Sequence, residues 1–183
     1  KLEDNSAHQL GEYPGQKDEL AAGKGKDQKN PINITYNEGI FVGYRWHDMK
    51  NIKPLFSFGH GLSYTTFEFG KAKADQTTIS QDGKITFTVT VKNTGKKAGA
   101  EVAQLYISDL KSSVPRPAKE LKGFEKIYLN PGEQKEVSFT IDKTALSYFD
   151  AQKHDWVAEP GDFEAQIVNS SDAIKTKVKF TLK

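Results

Sequence analysis

The chain has 183 residues, with 26 Lys plus Arg against 24 Asp plus Glu, 36% hydrophobic and 11% aromatic residues, and no cysteine. A disulfide framework and a thiolate metal site are therefore excluded, and the near-balanced net charge of +2 argues against a nucleic-acid binder, which carries a clustered basic face. No apolar run reaches the ~18 residues of a membrane helix, so no membrane span is expected. The length allows one domain of roughly 100–150 residues plus an extension. The first residue is Lys1 rather than Met, which reads as a start inside a longer or processed product.

Residues 1–34 are polar and irregular, and "KDELAAGKGK" allows one helical turn before Gly23 and Gly25 end it. Aromatic rings, glycines and isolated charges then crowd into "YNEGIFVGYRWHD", Tyr36 to Asp48, and "PLFSFGHGLSYTTF", Pro54 to Phe67. From about Gly70 the apolar period becomes two. In "KITFTVTVKN", Ile85, Phe87, Val89 and Val91 share one face and Thr86, Thr88 and Thr90 the other, as in a half-buried strand. After the turn "NTGKKAG", Ala103, Leu105 and Ile107 line one side of a second strand. Asn130-Pro131-Gly132 supplies turn chemistry between two further strands, the second carrying Val137, Phe139 and Ile141. A hairpin is predicted to turn near Ala151 to Lys153, and Glu159-Pro160-Gly161-Asp162 leads into Phe163, Ala165 and Ile167. In the last strand Ile174, Thr176, Val178, Phe180 and Leu182 alternate with Lys175, Lys177, Lys179 and Thr181, and the lysine row keeps a sheet face or edge soluble. With no convincing helix, the pattern predicts an all-β, immunoglobulin- or fibronectin type III-like antiparallel β-sandwich of about seven strands behind an extended, irregular N-terminal segment. The missing Cys pair excludes an antibody-type core, and Trp156 is the candidate aromatic anchor.

The two aromatic motifs, in this order, resemble the segment that joins the second catalytic domain of glycoside hydrolase family 3 enzymes to their C-terminal fibronectin type III-like domain. "VTVKNTGKKAGAEVAQLYISD", "RPAKELKGFEKIYLNPGE" and "WVAEPGDFEAQIVNSS" resemble that domain, so the likeness runs from about Thr35 to the end. One departure is Ser57, where the family commonly has Pro; the loop loses one φ restraint. The resemblance implies an irregular tail of a preceding α/β domain, or a linker, over 1–34, an extended strap and corner over 35–64, and a sandwich over 65–183. It also implies a parent enzyme that releases terminal, non-reducing β-linked sugars by the two-carboxylate retaining mechanism. In the family both carboxylates lie upstream of the segments that match here. No catalytic residue, metal or cofactor is therefore assigned, and the chain alone is expected to be inactive. The implied partners are the parent's catalytic domains, with a β-linked oligosaccharide as the parent's substrate, and the expected location is extracytoplasmic, periplasmic or secreted.

Each conspicuous residue has a structural reading beside a chemical one. Glu38 and Asp48 are not a convincing acid pair, because ten extended residues span roughly 33 Å where a retaining pair needs ~5–5.5 Å; they are expected to accept hydrogen bonds from backbone amides or Arg45. Arg45 between Tyr44 and Trp46 could clamp a sugar, but these residues, with Phe41 and Phe58, read better as interface anchors. His47 and His60 lack metal-ligand spacing. Between Gly59 and Gly61, His60 is expected to bridge backbone carbonyls. The expected interdomain set is thus Glu38, Gly39, Phe41, Tyr44, Arg45, Trp46, Asp48, Phe58, Gly59, His60 and Gly61. Asn33-Ile34-Thr35 and Asn169-Ser170-Ser171 match the glycosylation pattern but occur readily by chance. The alternative function is a free-standing carbohydrate-binding or adhesion module with a surface aromatic platform; a weaker one is an interaction module that pairs through Phe41, Tyr44 and Trp46.

Overall fold

Alternation of period two is most regular between Lys84 and Leu182, and there the computed structural model places its long strands. It describes residues 4–7, 16–17 and 32–183, and the turn considered in "KDELAAGKGK" lies outside them apart from Lys17. In chain order the elements are β1 (Gln16–Lys17), β2 (Ile32–Asn33), α1 (Tyr44–Lys50), β3 (Phe67–Phe69), β4 (Lys73–Ala74), β5 (Thr78–Ile79), β6 (Lys84–Asn93), β7 (Gly99–Asp109) and β8 (Glu120–Leu129), followed by β9 (Gln134–Asp142), α2 (Lys143–Leu146), β10 (Tyr148–Asp150), β11 (Asp155–Val157), β12 (Gly161–Val168) and β13 (Ile174–Leu182). The chain divides into two compact units, Lys1–Pro54 and Leu55–Lys183.

The second unit is the predicted sandwich. One sheet has five strands in the order β5-β13-β12-β7-β8; in the other, β6 pairs with β9 and with the short β3 and β4. The long pairs are antiparallel, and only β5 runs parallel to β13. The inward face of β6 is Ile85, Phe87, Val89 and Val91, all but sealed from solvent, with Val137, Phe139 and Ile141 beside it on β9. Facing them are Ala103, Leu105 and Ile107 of β7, Ile127 and Leu129 of β8, Phe163, Ala165 and Ile167 of β12, and Phe180 and Leu182 of β13. Three rings join the layers: Phe180 lies 5.3 Å from Phe87 and 5.6 Å from Phe163, centroid to centroid. Such ring pairs add to the area they bury.

Turns close these strands by local chemistry. Glu133 N–H donates to Asn130 O while Gly132 takes φ 78°, so Pro131-Gly132 forms the expected turn between β8 and β9. Asn93 goes further than its turn signal. Fully buried, it donates through Nδ2 to Lys97 O and Leu129 O and accepts at Oδ1 from Thr65 Oγ1 and Gly95 N. One amide thereby joins the entry to the sandwich, the β6–β7 turn and the end of β8. Of the lysine row, Lys177 reaches Glu164 on the neighbouring strand at 2.8 Å.

Two expectations are corrected. The stretch from Tyr36 to Asp48 is not an extended strap: hydrogen-bonded turns lead through Gly39 into α1, so Tyr44, Arg45, Trp46 and Asp48 sit on a helix where none was expected. Trp156 is no core anchor. It is 64% exposed on the separate β10–β11 ribbon, against Phe149. The anchor role falls to Phe87, Phe163 and Phe180.

Phe87→Ala is expected to lower unfolding free energy by about 3–5 kcal/mol, whereas Phe124→Ala, on an exposed side chain, changes it by less than about 0.5 kcal/mol. Urea unfolding followed by far-UV circular dichroism separates the two.

Candidate functional site

In the first unit, α1 begins at Gly43 with φ 58°, without a side-chain cap, and ends at Asn51 in the left-handed region. The Ile52 amide returns to His47 O, and the His47 ring donates through Nδ1 to Ile52 O at 3.1 Å. His47 is thus a helix-end residue. Trp46 is the buried residue of the helix. Its indole N–H donates to Asp4 O at 3.0 Å, and the Lys50 ammonium lies 5.0 Å from the ring centroid. Arg45 lies over Tyr44 at 5.9 Å, and Phe41, Tyr44, Arg45 and Asp48 are all half-buried. Gly39 has φ 56°, and the Glu38 carbonyl accepts from Phe41 N–H. One carboxylate oxygen of Glu38 is buried without a hydrogen bond, so the expected backbone pairing at that atom is absent. The exposed apolar side chains here are Ile34, Tyr36, Ile40, Val42 and Met49.

In the second unit, residues 55–64 display Leu55, Phe56, Phe58, Leu62 and Tyr64, with Leu55, Leu62 and Tyr64 almost fully exposed. The two groups together account for ten of the sixteen exposed large apolar side chains among the described residues, within 31 of them. Phe58 therefore sits among exposed side chains, whereas Trp46 is buried. The backbone turns at Ser57 to His60 through the bond from His60 N to Ser57 O, with Gly59 at φ 83°. Ser57 is buried. Gly59 is pressed against Gln104, so closely that a Cβ there would lie 2.2 Å from Nε2, while Gly61 meets nothing within 4 Å. The His60 imidazole lies against Phe56, with centroids 5.4 Å apart, instead of bridging carbonyls.

A polar centre around Arg116 is not signalled by the sequence, because an Arg-Pro step carries no distinctive pattern. The nearly buried Arg116 guanidinium pairs with Asp109 at 3.1 Å and Glu120 at 3.0 Å, donates to Leu146 O and faces the Tyr148 ring. Glu159 accepts from both the amide and the hydroxyl of Ser113 and from Tyr148 O–H. These hydrogen bonds, the hydroxyl of Ser113 foremost, hold its carboxyl below its ordinary value of 4.5. Together they pin the base of the β10–β11 ribbon. Asp150, near the ribbon tip, is lowered chiefly by the Lys153 amide. Asn169, of the second glycosylation pattern, is half-buried and donates to Glu101. Among the described residues no three metal-ligating side chains cluster.

Comparison with known proteins agrees with the sandwich fold. The fibronectin type III-like domain family matches residues 101–171. Over 98% of its length the chain is 50% identical to β-glucosidase BoGH3A of Bacteroides ovatus, and over 79% it is 54% identical to thermostable β-glucosidase B of Acetivibrio thermocellus. It spans 22% and 19% of those proteins, about a fifth of their length. Among solved structures, β-glucosidase of Kluyveromyces marxianus superposes with a TM-score of 0.76 at 45% identity, covering 82% of this chain and 18% of that one. β-Glucosidase 3B of Thermotoga neapolitana, in complex with glucose, gives 0.75 at 37% identity, covering 87% and 22%. The fold is thus a fibronectin type III-like β-sandwich with a preceding aromatic segment. The chain corresponds to the C-terminal, fibronectin type III-like region of glycoside hydrolase family 3 β-glucosidases.

Because the folded-state value of Glu159 is depressed, its contribution to stability is present above the ordinary value of 4.5 and is lost as pH falls through the folded value. Acid titration from neutral pH down through the folded value of Glu159 is expected to release the ribbon. Trp156 fluorescence follows it, and Glu159→Gln removes most of the pH-dependent change.

Proposed function

We propose that the chain is the scaffold region of a family 3 β-glucosidase-type enzyme, packing against the catalytic part of its parent and supplying no catalytic carboxylate. The parent removes terminal, non-reducing β-linked sugars, with both carboxylates on polypeptide outside the segments described. The observation that carries this reading is the concentration of exposed apolar side chains between Ile34 and Tyr64. Exposed apolar side chains gathered within either unit mark an interaction site, and the relatives offer about four fifths of their length as the partner. In this reading 1–34 is the tail of the preceding domain, 35–64 the joining segment and 65–183 the sandwich, and the parent works outside the cytoplasm. The carbohydrate-platform alternative loses its main residue, since Trp46 is buried and hydrogen-bonded.

The isolated chain is expected to give no turnover of an aryl β-glucoside above buffer, and no calorimetric signal with cello-oligosaccharides. Enzyme-like turnover would overturn the scaffold reading. In the parent, Phe56→Ser with Leu62→Ser is expected to lower the melting temperature of the catalytic part while leaving the isolated chain's own melting unchanged; equal melting of parent and variant would count against docking through this surface.

A further inference from the structure

The solvent-facing side chains between Leu55 and Tyr64 stand on a backbone that the sandwich holds. Phe58 O accepts the Ser171 amide at 2.8 Å, and His60 N closes the turn on Ser57 O at 2.9 Å. Gly59 rests on the Gln104 amide, at a φ that side chains rarely adopt. Gln104 is itself buried and fixed at both ends: Nε2 donates to Asn169 O at 3.0 Å, and Oε1 accepts from the buried Tyr106 hydroxyl at 3.0 Å. The segment carrying Ser171 is closed by Ala173 N to Ser170 O, with Ser170 Oγ donating to Asp172 Oδ1. These links lead into β7 and to the end of β12, neighbours inside the five-stranded sheet.

We propose that Gln104 is a positioning residue: its amide, clamped by Tyr106 and Asn169, forms the seat on which the 57–60 turn rests, so the apolar ridge from Leu55 to Tyr64 is shaped before any partner meets it. The occupant is the catalytic part of the parent, and in this the inference rests on the scaffold reading. Preorganisation is what such a seat contributes, because a ridge already ordered loses less freedom on docking. The side chain must be an amide, since one end donates to a carbonyl while the other accepts from a hydroxyl. It must also meet a glycine, since Gly59 leaves no room for a Cβ.

Amide hydrogen exchange on the 183-residue chain tests this without a partner. The His60 and Ser171 amides report the turn; Val89 and Ala165 report the two sheets. In the unaltered chain His60 and Ser171 are expected to exchange at least about tenfold more slowly than in a free peptide. Gln104→Ala is expected to remove that protection while Val89 and Ala165 keep theirs. Gly59→Ala, which leaves β7 untouched, should do the same and decides the matter if Gln104→Ala fails to fold. Peptide-like exchange of His60 and Ser171 in the unaltered chain, or protection that survives both substitutions, would overturn the proposal. So would parallel loss at Val89 and Ala165 in Gly59→Ala, since the contact would then serve global stability. None of these readouts involves the catalytic part, so failure here leaves the scaffold reading standing, and failure of docking leaves the seat standing.

Discussion

Each sheet of the sandwich has one face composed of Val, Ile, Leu, Phe and Ala, and that face can leave water only against its counterpart. The pairing of Phe87 with Phe180, and of Phe180 with Phe163, is where the two faces meet through rings. Without this closure, β6 and β9 on one side and β7, β12 and β13 on the other would each expose a run of apolar residues. The remaining features attach to it: the Asn93 amide ties its end, Arg116 ties the ribbon to its flank, and Gln104 carries the 57–60 turn on its outer surface.

That arrangement suits a scaffold better than an active site. The described residues invest their polar chemistry in joining segments: Asn93 satisfies four partners, Arg116 three, and Glu159 accepts from Ser113 and Tyr148. Buried polar groups satisfied this fully specify one conformation. What is left unsatisfied is mainly apolar and exposed, on Leu55, Phe56, Leu62 and Tyr64 and, in the first unit, on Tyr36 and Ile40. Taken unit by unit, such exposed apolar side chains suit a protein contact better than a small-molecule pocket.

The long strands were legible because alternation of side chains is a property of the extended backbone itself. Ile85 to Val91 and Val137 to Ile141 could be assigned to one face with no knowledge of their partners. The same rule misled at β7: Gln104 and Tyr106 fall opposite Ala103 and Leu105, where alternation predicts solvent, yet they are buried. The Gly59 turn lies on that face, and contacts between residues 45 positions apart leave no periodic trace. Helix α1 was hidden because Gly43 offers no capping side chain and its seven residues make fewer than two full turns of pattern. The burial of Trp46 and its bond to Asp4 O are tertiary facts. Trp156 misled for the opposite reason: a tryptophan beside a strand suggests a core, but β11 pairs only with β10 and joins neither sheet. Of the expected interdomain residues, Phe58, Gly59 and His60 gather in the corner turn, while Trp46 turns inward.

Hydroxyl-radical footprinting, carried out on the isolated chain and on the full-length parent, tests most directly whether the exposed segment is a seat for the catalytic part. Side chains Tyr36, Phe56, Leu62 and Tyr64 are expected to oxidise readily in the isolated chain and to be strongly protected in the parent, while the exposed Phe124 and Tyr128 serve as references. Equal labelling of Phe56, Leu62 and Tyr64 in both proteins would contradict the scaffold role, since the ridge would then face solvent in the enzyme it is meant to hold together.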